Sequence, residues 1–289
     1  MDELVSMNAL EWLFRWVGNQ TDAIPEATTE LYNALENGRR LKRLGDYEAA
    51  LGAFDQAETL LSGSNPDNLP VMIALNRVDV FTLQKQWDAA ERLLSELQSK
   101  AEQDKHNTRL AYILCARGAL AQEKGDWETA RRHYERALEL SRATKAIGAE
   151  GRAQGHLADT YLREDNASFA SYLLQEALPK LEFSGDVELS SYFSGRLGSA
   201  LIAMGREREG LHMLGRALRI AEQLEYKRYE LMWRRTLAAY AMQESNYAEA
   251  RRHLMLALTK SDPESDLVNY VQTLCRLSKT CLRLNELQA

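Results

Sequence analysis

Gly125-Asp126-Trp127-Glu128-Thr129-Ala130 is the stretch whose reading decides the fold. It offers, in order, a glycine able to stop one helix, an aspartate able to cap the next, an aromatic and a small residue. The same order recurs in Gly45-Asp46-Tyr47-Glu48-Ala49-Ala50, Gln86-Trp87-Asp88-Ala89-Ala90, Gly205-Arg206-Glu207-Arg208-Glu209-Gly210 and Asn246-Tyr247-Ala248-Glu249-Ala250. A sixth, degenerate copy is Asp165-Asn166-Ala167-Ser168-Phe169-Ala170. The closing residues Ala50, Ala90, Ala130, Ala170, Gly210 and Ala250 are spaced by forty throughout. Six small residues in one register mark an internal repeat.

Apolar residues flank each stretch at helical spacing. Leu114, Gly118 and Ala121 precede one; Ala130, Tyr134, Ala137 and Leu138 follow it, as Ala250, Leu254, Ala257 and Leu258 follow another. Each copy therefore reads as two helices joined by a tight turn. The aromatic after the cap is placed to cover the helix junction, and the small residue lets two helix axes approach closely.

The chain has 289 residues, 45% of them apolar and 27% charged, with five prolines and a net charge of -6. Such a composition suits a soluble globular chain and argues against a general nucleic-acid or anionic-membrane binder. No apolar run is long enough to span a bilayer. The acidic start, Met1-Asp2-Glu3, is unlike the basic start of a secretory signal, so a cytoplasmic setting is expected. Cys115, Cys275 and Cys281 match neither a disulfide framework nor a metal motif, and read as reduced thiols. No phosphate loop, G-x-S-x-G elbow or H-E-x-x-H occurs. His106, His133, His156, His212 and His253 never pair at i, i+4, and His133 and His253 are expected on solvated outer faces. The expectation is a protein that is no enzyme and carries no metal or cofactor.

The pattern resembles the tetratricopeptide repeat. Gly118, Trp127, Ala130, Tyr134 and Ala137 carry the resemblance best, with Gly38, Tyr47, Ala50, Phe54 and Ala57, and with Gly198, Gly205, Leu214 and Ala217. The period is forty where the family usually has thirty-four, so each helix pair should be longer by one to two turns. Forty-residue versions are similar to sensor domains of some bacterial regulators. The resemblance implies an all-α fold, a right-handed α-solenoid superhelix of about six helix pairs across residues 27–270. The pairs are expected at about 31–70, 71–110, 111–150, 151–190, 191–230 and 231–270. An amphipathic helix within residues 1–26 and a capping helix over 271–289 should flank them.

In this family the first helix of each pair lines a concave groove. The residues that the resemblance places there are Tyr32, Leu35, Met72, Asn76, Tyr112, Arg152, His156, Tyr192, Arg196, Met232, Arg235 and Arg276. Aromatic and methionine side chains in such a row give adaptable apolar contacts, and arginines suit carboxylates or phosphates. Packing against neighbouring helices, or salt bridging to Asp159 and nearby glutamates, explains the same residues equally well.

Leu4 to Val17 is also helical by pattern and carries more apolar residues than a one-sided cap requires. Trp12, Phe14 and Trp16 are its self-association candidates, with the first repeats or a second molecule as the site. The leading reading is a non-catalytic scaffold or adaptor that binds a protein or peptide segment in its groove. The alternatives are a sensor module whose superhelix responds to a small anion or peptide, and a self-assembling structural protein. Neither nucleic acid nor a membrane is an expected partner.

Overall fold

The computed structural model describes residues 26–61, 69–263 and 267–284, and among them the chain forms thirteen α-helices and no strand. They run as pairs: α1 (Glu26–Leu44) with α2 (Tyr47–Thr59), α3 (Leu69–Leu83) with α4 (Trp87–Gln103), and α5 (Asn107–Glu123) with α6 (Trp127–Thr144). Then follow α7 (Ile147–Arg163) with α8 (Ala167–Phe183), α9 (Val187–Ala203) with α10 (Glu207–Gln223), α11 (Lys227–Gln243) with α12 (Tyr247–Lys260), and the single α13 (Leu267–Arg283). The second helices begin at Tyr47, Trp87, Trp127, Ala167, Glu207 and Tyr247, each forty residues after the last. The first helices begin a few residues ahead of 31, 71, 111, 151, 191 and 231, because those marks were counted from residues inside helices, not from turns.

A finer period of twenty runs through the turns. Residues 85, 105, 125, 145, 165, 185, 205, 225 and 245 all have positive φ, and Gly45 belongs to the same series. Each closes the preceding helix in the same way: in the best-formed turn Asp126 N donates to Ala121 O and Gly125 N to Gln122 O. This is a left-handed stop that satisfies carbonyls the helix end would otherwise leave bare. Glycine fills it at 45, 125, 185 and 205; Lys85, Lys105, Lys145, Asp165, Glu225 and Ser245 fill it elsewhere. The next helix is then capped where a short acceptor is present: Asp46, Asp126, Asn166, Asp186 and Asn246 accept from Ala49 N, Thr129 N, Phe169 N, Leu189 N and Glu249 N.

Close packing follows from the small residues. Ala50, Ala90, Ala130, Ala170 and Ala250 are fully enclosed. A Cβ at Gly210 would lie 2.6 Å from Gly198 O, and one at Gly118 would lie 2.4 Å from the Tyr134 ring, so neither site has room for a side chain. His253 is buried, not solvated, and His133 is half-buried; burial pulls both imidazoles below their ordinary pKa, with nearby arginines acting in the same direction.

The chain divides into two compact units, residues 1–149 and 150–289. In the first, one core gathers Leu31, Leu35, Phe54, Leu69 and Ile73, and another gathers Val78, Leu94, Ile113 and Leu120. In the second, Leu214, Ala217, Leu218 and Ala221 pack with Trp233. No described helix is long and apolar enough to cross a membrane.

Candidate functional site

In the second unit, the first helices α7, α9 and α11 bring polar and aromatic side chains together. Helix α9 has the sequence Val-Glu-Leu-Ser-Ser-Tyr-Phe-Ser-Gly-Arg-Leu-Gly-Ser, and its small residues let neighbours approach on several sides. Ser190, Ser191, Ser194, Gly195 and Gly198 are all buried, and Ser191 Oγ donates to Ala217 O on α10 at 3.0 Å. A Cβ at Gly195 would lie 2.3 Å from the Trp233 ring of α11, and one at Gly155 of α7 would lie 2.3 Å from Phe193. Each large ring thus sits in a notch that a glycine leaves on the preceding first helix.

Asp159 of α7 is the centre of the polar part. Its carboxylate is 1% exposed, and both oxygens are used: Tyr192 Oη donates to Oδ2 at 2.6 Å and Arg196 Nε donates to Oδ1 at 2.5 Å. Burial works against the guanidinium charge, but the Asp159 carboxylate outweighs it and holds Arg196 above its ordinary pKa. Burial and then Asp159 raise the Tyr192 phenol well above its ordinary value, so its hydroxyl stays protonated as a donor. A second tie joins the same helices: Asp186, which caps α9, pairs with Arg152 of α7 at 2.6 Å.

Rings surround this pair. Tyr192 lies 5.3 Å from Tyr229 and 6.1 Å from Trp233 between centroids, and Tyr226 lies 3.9 Å from Tyr229. Met232 packs against the same cluster. His156 meets the Phe193 ring edge-on at 5.1 Å, and burial lowers its pKa to about 4, so the imidazole is neutral at pH 7. Beyond the rings, Glu230 and Arg234 are a buried pair at 2.9 Å, extended by Glu222 to Arg234 and by Lys260 to Glu230.

The expected groove residues thus fall in different places. Arg152, His156, Tyr192, Arg196 and Met232 come together in the second unit. Arg235 is half-buried and its Nε donates to Leu231 O of its own helix, while Arg276 is exposed on α13. In the first unit, Asn76 accepts from Lys42 Nζ at 3.3 Å and donates to Met72 O; Asp79 pairs with the same lysine at 3.1 Å. Met72 and Tyr112 are half-buried. Tyr32 is buried, and among the described residues its hydroxyl has no hydrogen-bond partner. Leu35 is enclosed in the core at 1% exposure, which corrects its expected place on a groove wall: an apolar side chain in a helix pair is drawn to the interface between helices. Trp12, Phe14 and Trp16 lie outside the described residues. Asp159 was named in the sequence as a salt-bridge partner of these arginines; Phe193, Tyr229, Trp233, Glu230 and Arg234 are the members that sequence reasoning did not place at a site. Their signal lies in a spacing: Asp159 meets partners 33 and 37 residues on, just as Lys42 meets partners 34 and 37 on. Among the described residues no group of three or more His, Cys, Asp or Glu side chains is arranged to hold a metal ion.

Comparison with known proteins bears on the fold. Residues 70–143 match the family model described as tetratricopeptide repeat. No curated protein matches the chain in sequence. Among solved structures, the apo form of the quorum sensor NprR from B. thuringiensis aligns with a TM-score of 0.59 at 14% identity, over 91% of this chain and 72% of that one. NprR in complex with its cognate peptide NprX aligns with a TM-score of 0.56 at 13% identity, over 91% and 76%. A Rap protein complexed with Competence and Sporulation Factor aligns with a TM-score of 0.56 at 14% identity, over 89% and 76%. At these identities the likeness is one of fold: all three share the helical repeat architecture.

Proposed function

We propose that this chain, a tetratricopeptide-repeat protein, is a non-catalytic cytoplasmic module that binds a protein or peptide segment along the first helices of its pairs. The observation that carries this reading is the surface of α7, α9 and α11, where Tyr192, Tyr229 and Met232 adjoin the Asp159–Arg196 pair. Apolar side chains edged by hydrogen-bonding groups suit an extended segment, which presents both side chains and backbone amides. The likeness to the solved structure of NprR with its cognate peptide supports the same class of ligand.

The details favour a peptide over a small anion. Arg196 and Arg152 each already carry a carboxylate partner, which offsets the charge an anionic effector would seek. A peptide draws affinity from ring contacts and backbone hydrogen bonds as well. Three cysteines, none of them in a disulfide, accord with a reducing compartment.

Selection of a random dodecapeptide library on the full chain tests this reading. Enriched peptides should lose at least about tenfold in affinity on Tyr229→Ala and on Arg196→Glu, with helicity retained. Sequences that bind both variants as well as the parent chain would refute it.

A further inference from the structure

A guanidinium paired with a carboxylate keeps hydrogen-bond donors to spare but no net charge, and that is the state of Arg196. Its Nε donates to Asp159 Oδ1 at 2.5 Å, and the second oxygen of that carboxylate accepts from Tyr192 Oη at 2.6 Å. The pair is unevenly buried: the Asp159 side chain is 1% exposed and that of Arg196 is 29% exposed. The terminal nitrogens of Arg196 find no acceptor among the described residues and are open to solvent. The buried acid thus grips the guanidinium by its inner edge. The outer edge, with its N–H groups, stays open beside Tyr192, which adjoins Tyr229 and Met232.

What such an edge accepts is decided by charge. A carbonyl oxygen of an extended backbone is an uncharged acceptor, so it takes the open N–H groups and brings no charge toward Asp159. A carboxylate or phosphate takes the same groups but sets its own charge close to Asp159, and like charges at one site repel. We propose that Asp159 determines the specificity of this surface: it fixes and neutralises Arg196, which then reads a backbone carbonyl of an extended segment and discriminates against a segment that offers an anionic group there. The inference rests on the peptide-binding reading above and sharpens it. Arg196 touches the ligand; Asp159 acts through Arg196 and is a positioning residue. Held by a buried acid, the guanidinium loses little freedom when the ligand arrives. An arginine on its own suits carboxylates and phosphates, and one buried partner turns it to a different acceptor.

The test uses the full chain and the dodecapeptide most enriched in the selection on it, with fluorescence anisotropy as the measure of affinity. On the parent chain that affinity should change less than about twofold between roughly 50 and 500 mM salt. Glutamate placed at each peptide position in turn should nowhere improve it. Replacing one backbone amide by a thioamide, whose sulfur is a poorer acceptor, should cost at least about threefold on the parent chain and nothing on Arg196→Met. Asp159→Asn keeps an acceptor for Arg196 Nε and removes the charge. On that variant, glutamate at one position should improve affinity at least about fivefold in low salt, and the gain should vanish in high salt. A parent chain that favours glutamate, or that binds with a steep salt dependence, overturns the inference and leaves the peptide reading standing. So does a folded Asp159→Asn chain as indifferent to glutamate as the parent. A selection that yields no binder on the parent chain overturns both.

Discussion

Replacing Gly195 by alanine probes the packing that builds the candidate surface. The added methyl would stand 2.3, 2.4 and 2.5 Å from three carbons of the Trp233 ring, where carbon atoms at rest keep about 3.5–4.0 Å. The ring must therefore shift by more than about 1 Å. It has little freedom to do so, being 1% exposed and packed with Leu214, Ala217, Leu218 and Ala221 as well as Tyr192. Overpacking of this kind costs roughly 1–3 kcal/mol, and a rigid indole in a closed site belongs near the upper end. Alanine in a helix returns about 1 kcal/mol through its better propensity. The net loss expected is about 2 kcal/mol.

Gly52→Ala separates the two effects. Gly52 is also helical, but a Cβ there meets nothing within 4 Å, so only the propensity gain of up to about 1 kcal/mol remains. Urea unfolding followed by circular dichroism and by tryptophan fluorescence should show the two variants moving in opposite directions. Gly195→Ala should in addition weaken any ligand of the Tyr192–Tyr229 surface, since Trp233 adjoins both elements. A Gly195→Ala chain as stable as Gly52→Ala would refute the assigned packing of α9 on α11.

Three further outcomes follow from the same coordinates. His156 titrates at about 4 when folded against an ordinary value near 6.5, so the unfolded chain binds more protons between these limits; its contribution, on the order of 3 kcal/mol, is complete above pH 6.5 and is lost as pH falls toward 4. His156→Gln should flatten the pH dependence of unfolding in that window, and an unchanged profile would contradict the assignment. A double-mutant cycle on Asp159→Asn and Arg196→Gln should give a coupling of roughly 1–3 kcal/mol in urea unfolding; additive losses would mean that the two act separately. Lys105→Gly, at a residue with φ of 54°, should stabilise the chain by about 1 kcal/mol in the same assay, because glycine reaches the left-handed region without strain.

The repeat was legible because glycine and small residues leave unmistakable marks. Gly45, Gly125 and Gly205 announced their stops, and Ala130 and its equivalents announced the close crossings. Gly185-Asp186 bears the same mark twenty residues out of step, but the remaining stops are silent: a lysine or glutamate tolerates the left-handed region at a cost of about 1–2 kcal/mol, so Lys105 and Glu225 look like ordinary surface residues in the sequence. That is why the forty-residue period could be read and the twenty-residue period beneath it could not. Glu230, and the depth at which Asp159 is buried, were hidden for a different reason. A single acid on a helix reads as solvated, and only a partner from the next pair makes it a buried one.

That partner has a regular address. Lys124 reaches back 33 residues to Glu91, Arg216 reaches 34 to Glu182, Tyr240 reaches 33 to Glu207, and Arg196 reaches 37 to Asp159. One forty-residue period less one or two helical turns therefore separates groups that meet across neighbouring pairs. Arg196–Asp159 and Arg216–Glu182 join equivalent helices of neighbouring pairs, whereas Lys124–Glu91 and Tyr240–Glu207 join a second helix to the first helix of the next pair. Polar ties of this kind fix the slip between successive pairs, a task that apolar packing between alanine-rich helices performs poorly because one turn fits nearly as well as the next. A ligand that competes for Tyr192 or Arg196 thus acts on the same bonds that set how α9 lies against α7. On the proposed reading, binding a segment and responding to it are not rival functions of this surface, since Tyr192 and Arg196, which would meet the ligand, also tie α9 to α7 through Asp159.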